Sequence, residues 1–201
     1  MNKSALQDYT LKYYEDNAQA FIAGTLSADM SEARQRFLTE LPDSAYILDF
    51  GCGSGRDAKV FLELGYQVDA ADASEELCKA ASEITGITVK KMFFQELNAK
   101  ETYDGIWACA SILHLPKNEL LSVLKKIAGA LKAQGVLYTS FKYGEFEGMR
   151  DGRFYTDFTE ETFREFILAI PELHVFSIWL TGDVRPGRKE ERWINILARR
   201  V

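Results

Sequence analysis

The residues best suited to chemistry are three closely spaced glycines and an acid that follows the next apolar run. Gly51, Gly53 and Gly55 lie in the segment ILDFGCGSGRD, directly after apolar residues. Glycines let a chain turn tightly and let a ligand approach the backbone, and the N-terminus of a following helix offers free N–H groups. Asp72 ends the run YQVDAAD, where a carboxylate can accept hydrogen bonds from both hydroxyls of a ribose. This spacing predicts a nucleoside site.

Two further residues narrow the ligand class. The dinucleotide fingerprint G-x-G-x-x-G requires a third glycine at the position that Arg56 holds here. Asp49, two residues before the first glycine, would repel a pyrophosphate but suits a ligand that carries an ammonium or a sulfonium. Arg56 itself could pair with a ligand carboxylate or with Asp57, and we favour the ligand. We therefore expect the ligand to be a nucleoside that carries an ammonium or a sulfonium, and not a nicotinamide dinucleotide.

The elements that must position these residues alternate between strand and helix. Strands are predicted for AYILDF, YQVDAAD, ITVKKMFF, YDGIWACAS, GVLYTSF, LHVFSIWL and RWINILAR. Helices between the first strands imply right-handed crossovers and a parallel sheet, whereas the short loop TGDVRPGRKEE makes the last two strands antiparallel neighbours. We expect an α/β protein with three layers, whose Rossmann-like seven-stranded sheet is parallel except for the last strand.

The N-terminal part precedes the first strand and should cover the sheet. Apolar and aromatic residues recur every three or four positions over residues 6–26, which predicts one helix, and a second helix is expected over 31–41. We therefore expect a single domain in which residues 1–45 form a helical cap and residues 46–201 form the sheet domain. Residues 142–158 are expected to form a long loop that closes over the site.

Three segments together carry a family resemblance. LDFGCGSG, VDAADAS and YDGIWACASILHLP, in this order and spacing, resemble the blocks of class I S-adenosylmethionine-dependent methyltransferases over residues 46–201. The GSGRD variant with an aromatic N-terminal helix is similar to small bacterial members of the tellurite-resistance and small-molecule type. The resemblance implies S-adenosylmethionine as cofactor, S-adenosylhomocysteine as product, and in-line transfer of the methyl group to a nucleophile.

The resemblance also implies a role for each matching residue. The glycine loop would hold the methionine part of the cofactor, Asp49 would orient its amino group, and Asp72 would bind the ribose. Either Gln95 or Glu96 would read the adenine. The complete set implied to bind the cofactor is Tyr13, Asp49, Gly51, Cys52, Gly53, Gly55, Arg56, Asp72, Ala73, Ser74, Gln95, Glu96, Leu97, Ala110 and Ser111.

Candidates for the acceptor side follow the fourth and fifth strands. His114 could act as a base or polar contact, or it could only position the turn before a proline; the hydroxyl of Tyr14 could reach the cofactor or the acceptor. Lys142, Arg150 and Arg153 could collect an anionic acceptor, or they could pair with acids of the same loop. We take His114 and Tyr14 as catalytic candidates and the three basic residues as candidate substrate contacts.

Composition limits the partners. The 201 residues carry a formal net charge of −6, so the chain lacks the broad positive field of a dedicated duplex-binding domain. Three cysteines without C-x-x-C spacing indicate reduced thiols, two histidines leave little material for a metal site, and neither a signal peptide nor a membrane span is evident. We expect a cytoplasmic monomer or homodimer with a small-molecule acceptor, no metal and no membrane contact.

Two alternatives remain open at this stage. The acceptor could be a tRNA base or a protein side chain, contacted by basic residues at 142–153 and 185–189. The domain could also bind its cofactor without catalysing a reaction.

Overall fold

The computed structural model describes residues 3–185, 187, 188 and 190–201, with only the backbone considered for residues 3–8. Its α-helices are α1 (Lys3–Asp16), α2 (Ala18–Thr25), α3 (Ser31–Leu38), α4 (Arg56–Glu63), α5 (Glu75–Thr85), α6 (Lys117–Ala130) and α7 (Glu160–Ile167). Its strands are β1 (Tyr46–Phe50), β2 (Gln67–Asp72), β3 (Lys90–Lys91), β4 (Tyr103–Ala108), β5 (Leu131–Lys142), β6 (Glu147–Arg150), β7 (Arg153–Thr156), β8 (Leu173–Gly182) and β9 (Arg192–Arg200).

Seven strands form one sheet in the order β3-β2-β1-β4-β5-β9-β8. The pairs from β3 to β5 are parallel, and β9 runs antiparallel between β5 and β8. The expected sheet of six parallel strands with the last one reversed is therefore confirmed. Because the order changes direction between β1 and β4, the loops after these strands flank a crevice at their carboxyl ends.

Helices cover both faces of the sheet. On one face, α6 and α7 bury Leu120, Ile127 and Phe163 against β4 and β5. On the other face, Trp107 of β4 stacks on Tyr138 of β5 with ring centroids 3.9 Å apart, and both are fully buried beneath α3 and α4. Stacked rings of this size contribute about 0.5–1.5 kcal/mol beyond their burial, so the central strands form a rigid base for the crevice.

The N-terminal segment differs from the single helix expected over residues 6–26. Helix α1 ends at Asp16 and α2 begins at Ala18. Asn17 separates them, with φ −118° and ψ 15°. Its side chain donates a 2.8 Å hydrogen bond to the carbonyl of Tyr13, which also accepts from the backbone amide of Asn17 at 3.0 Å.

The segment expected to be a long loop contains a hairpin. Strands β6 and β7 pair antiparallel, with Arg150 opposite Arg153. Asp151 and Gly152 between them have φ angles of 51° and 77°. Two successive positive φ angles match the twist of a tight hairpin, and the pair Asp-Gly favours them. The sequence prediction of an irregular loop was therefore wrong over residues 147–156.

The expected third strand is also shorter than predicted. Only Lys90 and Lys91 pair with β2, after which Met92 donates to the carbonyl of Asp72 and the chain enters a 3₁₀ turn over Phe94–Glu96.

Among the helices formed by the described residues, none combines the length and the apolar character needed to cross a bilayer.

Candidate active site

The glycine loop after β1 is held in place by the end of β2. The amide of Gly51 donates to the carbonyl of Ala71 over 2.8 Å. The carboxylate of Asp72 accepts from the amide of Gly53 at one oxygen and from the amide of Ser74 at the other, both at 2.9 Å. Burial raises the pKa of Asp72. One carboxylate thus joins the loop to the start of α5.

Two of the glycines are required by close packing. A Cβ on Gly51 would lie 2.4 Å from Cβ of Ser111, so the loop could not approach the end of β4 with a larger residue. A Cβ on Gly55 would lie 2.9 Å from Cγ2 of Thr85 in α5. Gly55 therefore serves helix packing, and it does not line the cavity described below.

Asp49 lies beneath the loop and is almost completely buried. Its carboxylate accepts a 3.0 Å hydrogen bond from the amide of Ala58, one of the free N–H groups in the first turn of α4. Burial, reinforced by the neighbouring Asp57 carboxylate, raises the pKa of Asp49 well above its usual range. The carboxyl group of Asp49 thus joins the end of β1 to the first turn of α4 beneath the loop.

Asp57 is the acid to which three other parts of the chain connect. It accepts hydrogen bonds from Arg34 of α3 and from Arg56, both at 2.6 Å, and from the indole of Trp107 at 3.0 Å. Although burial opposes ionisation, the guanidinium groups of Arg56 and Arg34 hold the pKa of Asp57 below its usual range. Arg56 thus pairs with Asp57, one of the two alternatives raised by the sequence, while its side chain still reaches the cavity.

One cavity of about 220 Å³ connects the glycine loop with the carboxyl ends of β4 and β5. Helices α1 and α2 cover it through Thr10, Leu11 and Phe21. Among the residues that the sequence predicted for the site, those that line the cavity are Tyr14, Asp49, Gly51, Cys52, Gly53, Arg56, Asp72, Ala73, Ser74, Ala110, Ser111, His114, Lys142 and Arg153. Binding roles for them remain predictions.

The segment expected to read the adenine presents different side chains. Phe93 and Phe94 line the cavity, whereas Gln95, Glu96 and Leu97 do not. Gln95 donates to a glutamate of α6 over 2.9 Å, Glu96 accepts from the amide of Phe93, and Leu97 is buried in the core. The sequence prediction considered only polar side chains in this segment. The residues that line the cavity are the apolar pair Phe93 and Phe94, which directly precede Gln95.

Tyr14 and His114 meet in the lining of the cavity. The hydroxyl of Tyr14 lies 2.8 Å from Nε2 of His114, and Nδ1 lies 2.6 Å from the carbonyl of Phe154. Because a carbonyl can only accept, we assign the imidazole proton to Nδ1, so Tyr14 donates to Nε2. Burial lowers the pKa of His114 to about 4 and raises the pKa of Tyr14. Both groups are therefore neutral near pH 7.

The three basic residues predicted to contact the substrate differ in their surroundings. Lys142 forms an ion pair with Glu191. Arg150 donates to both oxygens of Asp157 at 3.1–3.2 Å and lies outside the cavity lining. Arg153 lines the cavity, and no carboxylate among the described side chains lies within 4 Å of it. The structure thus does not place Arg150 at the site.

Several lining residues were missed by sequence reasoning. Asp183 is half-buried and accepts from Nε of Arg185 at 2.9 Å and from the indole of Trp193 at 3.1 Å. Arg185, which the sequence offered only as a contact for a tRNA or protein acceptor, lines the cavity; Lys189, from the same basic group, lies outside the described residues. Further missed lining residues include Phe21, Tyr155, Thr181 and Asn195.

The position of the missed residues follows from strand register. Trp193 pairs with Lys142, because β9 runs antiparallel to β5 and starts where β5 ends. The start of β9 therefore lies at the same edge of the sheet as the carboxyl ends of the parallel strands. The sequence predicted that the last strand, β9, is reversed, and this prediction could have located the missed residues at the start of β9 and the end of β8.

Tyr13 completes the predicted set. Its ring lies beneath the guanidinium of Arg153, 4.2 Å from its Cζ, and packs against the hairpin without lining the cavity.

Comparison with known proteins gives consistent matches. Residues 47–135 match a family model described as a methyltransferase domain. A Bacillus subtilis protein named as a methyltransferase, YqeM, is 30% identical over 116 residues, which cover 52% of this chain and 47% of that protein. Human N-terminal Xaa-Pro-Lys N-methyltransferase 1 is 31% identical over 125 residues, covering 55% of this chain and 56% of that protein. The chain thus spans about half the length of the curated relatives it matches.

A solved structure extends the likeness to almost the whole chain. The 1,6-didemethyltoxoflavin-N1-methyltransferase of Burkholderia thailandensis, solved with bound 1,6-didemethyltoxoflavin and S-adenosylhomocysteine, has a TM-score of 0.76. The alignment covers 98% of this chain and 87% of that protein at 22% identity. At this identity the likeness establishes the fold.

Proposed function

We propose that this chain is a class I S-adenosylmethionine-dependent methyltransferase and that it transfers a methyl group from this cofactor to a small-molecule acceptor. The observation that carries the proposal is the single cavity. It is lined by the glycine loop with Asp72 and also by Tyr14, His114 and Tyr155. A donor bound at the glycine loop and an acceptor bound beside these aromatic residues would meet inside one cavity.

The residues at the loop end fit the cofactor. Each carboxylate oxygen of Asp72 accepts one backbone hydrogen bond and retains a second lone pair, which the ribose hydroxyls can use. Leu77, Phe93 and Phe94 provide an apolar surface for a flat base. The amino group of the methionine part would bind on the side of the loop that Asp49 supports.

The reaction requires mainly positioning from the protein. The sulfonium of the bound cofactor supplies an electrophilic methyl group. The chain must hold the acceptor atom about 3 Å from that group and in line with the breaking bond. Because the Tyr14 hydroxyl donates its proton to His114 and accepts a hydrogen bond from Arg153, its oxygen retains one lone pair that can accept an N–H or O–H of the acceptor. Helices α1 and α2 shield the cavity from water.

The dimensions of the cavity favour a small acceptor. Its volume of about 220 Å³ lies below the ~300–1,000 Å³ usual for ligand pockets, which leaves little room beside the cofactor. The net charge of −6 gives no broad attraction for a polyanion. The ligand named in the Burkholderia thailandensis structure, 1,6-didemethyltoxoflavin, is also a small molecule.

Radiolabel transfer tests the proposal. The purified protein is incubated with methyl-labelled S-adenosylmethionine and a cell extract that has been divided into a small-molecule filtrate and a macromolecular retentate. We expect label in a product of the filtrate, and none with a variant that fails to bind cofactor. Label only in protein or RNA of the retentate would assign a macromolecular acceptor, and cofactor binding without any transfer would indicate a binding protein.

A further inference from the structure

Arg153 is a cation held among tyrosine rings at the acceptor end of the cavity. Its Cζ lies 4.2 Å from the ring centroid of Tyr13, 5.3 Å from that of Tyr155 and 5.8 Å from that of Tyr14. Its Nε is buried and has no hydrogen-bond partner. The side chain is thus fixed in position by aromatic contacts while part of its donor capacity is unused.

The other cations of the lining are neutralised. Arg56, Lys142 and Arg185 each form an ion pair with a neighbouring carboxylate. Arg153 differs from them, because no described carboxylate side chain lies within 4 Å of its guanidinium. The acceptor end of the cavity therefore carries one positive charge that the described residues leave uncompensated.

A guanidinium removed from water gains from a counter-charge. Aromatic faces compensate part of the lost hydration through cation–π contacts. The planar fork of an arginine matches two oxygens of a carboxylate, and such charge-assisted hydrogen bonds are stronger than neutral ones. An anion entering the cavity would therefore find in Arg153 a donor that is already oriented.

The rest of the acceptor end is suited to a flat molecule. Tyr155 and Trp193 line the cavity with aromatic surface. Planar rings bind such surfaces by stacking or edge contacts, which add to the apolar burial. Arg153 lies in β7, directly before the residue whose carbonyl binds His114, so an anion on Arg153 would be close to Tyr14.

We propose, on the basis of the proposed function, that the acceptor is a planar small molecule bearing an anionic oxygen. Arg153 binds this oxygen, and the nucleophilic atom of the acceptor lies towards Tyr14. The anionic oxygen can belong to a carboxylate or to a phenolate, which share the negative charge and an oxygen that accepts hydrogen bonds from the guanidinium.

Matched pairs of probes test this proposal by binding alone. The protein is first saturated with S-adenosylhomocysteine, and calorimetry then measures 2-naphthoate against 2-naphthamide and 4-nitrophenolate against 4-nitroanisole. We expect at least one anion to bind about tenfold or more tightly than its neutral counterpart. The probe pair that shows the preference tells whether the site binds a carboxylate or a phenolate.

Substitutions assign the preference to Arg153. Arg153→Met retains the aliphatic length but removes the charge, and it should abolish the preference. Arg153→Lys retains the charge and should preserve part of it. Arg164→Met is the matched control, because Arg164 pairs with Glu160 on the exposed face of α7.

The outcomes separate this proposal from the methyltransferase function. Equal binding of each anion and its neutral partner by the wild-type protein, or no binding of any probe, overturns the assignment of Arg153. A preference that survives Arg153→Met in protein whose melting temperature equals that of the control also overturns it. Failure of the wild-type protein to bind S-adenosylhomocysteine would instead contradict the proposed function.

Discussion

Asp72→Asn provides a direct test of the cofactor site. The asparagine side chain has nearly the same shape, but only one of its two terminal groups can accept a hydrogen bond. In the native protein both carboxylate oxygens already accept a backbone amide, from Gly53 and from Ser74, at 2.9 Å. The variant therefore keeps one of these bonds and loses the charge that a ribose hydroxyl would face.

The expected loss can be worked out from these contacts. A hydrogen bond to a charged group contributes about 1.5–3 kcal/mol. Loss of one such bond to the ribose should weaken binding of S-adenosylhomocysteine by about 10- to 150-fold. The lost backbone bond, which is also made to a charged group, should lower the free energy of unfolding by a similar amount, about 1.5–3 kcal/mol.

Calorimetry with S-adenosylhomocysteine measures the first effect and urea unfolding the second. Asp69→Asn is the matched control, because Asp69 lies on the same strand, accepts from the hydroxyl of Tyr103 and does not line the cavity. An affinity of Asp72→Asn within about threefold of this control would refute the assignment of Asp72 to the ribose.

Three further predictions concern the loop, the imidazole and the cap. Gly53→Val should abolish binding of S-adenosylhomocysteine, because φ is +56° and the added Cβ would lie 2.9 Å from a phenylalanine ring of α2. The pKa of His114 is lowered to about 4 in the folded protein, from about 6.5 when unfolded, so its contribution to stability is complete above about pH 6.5 and falls by roughly 3 kcal/mol towards pH 4; His114→Asn should flatten this pH dependence in urea unfolding. Arg34→Met should lower the free energy of unfolding by about 2 kcal/mol, because it removes a largely buried ion pair with Asp57.

Each of these predictions has a control and a contradicting result. Gly24→Ala alters a glycine of α2 with no atom within 4 Å of the added Cβ, so it should bind the product normally; equal binding by Gly53→Val would contradict the loop geometry. An unchanged pH dependence in His114→Asn would show that other groups govern acid unfolding. Arg164→Met should lower the free energy of unfolding only slightly, because its ion pair with Glu160 is exposed. If Arg34→Met lowers it by the same amount, burial does not strengthen the ion pair of Arg34 with Asp57.

Much of the fold and of the cofactor end could be predicted from the sequence, because both depend on local signals. The glycine loop lies between a strand and a helix that are adjacent in the chain, and Asp72 ends the next strand. The rule that crossovers are right-handed then brings these segments to one edge of the sheet. Sequence adjacency and one topological rule were therefore sufficient to place Asp72 beside Gly53.

The acceptor end depends on contacts between residues distant in sequence, and it was predicted less well. Arg153 and Arg150 have the same charge and similar neighbours in the sequence, yet only Arg150 meets Asp157, because of the hairpin register. The exposed turn that contains Arg185 folds back to the cavity through the pairing of β8 with β9. The signal for the hairpin itself, Asp-Gly at 151–152, was present in the sequence and passed over.

The carboxylate of Asp57 has a consequence for the behaviour of the whole molecule. It binds Arg56, which lines the cavity, and Arg34, which holds α3 from outside the cavity lining. Two donors that share one acceptor are thermodynamically linked, and such linkage is reciprocal. If a ligand bound at Arg56 changes the free energy with which α3 docks, then the docking of α3 changes the binding free energy of that ligand by the same amount. A ligand that draws Arg56 away from Asp57 would therefore also change how strongly Arg34 holds α3.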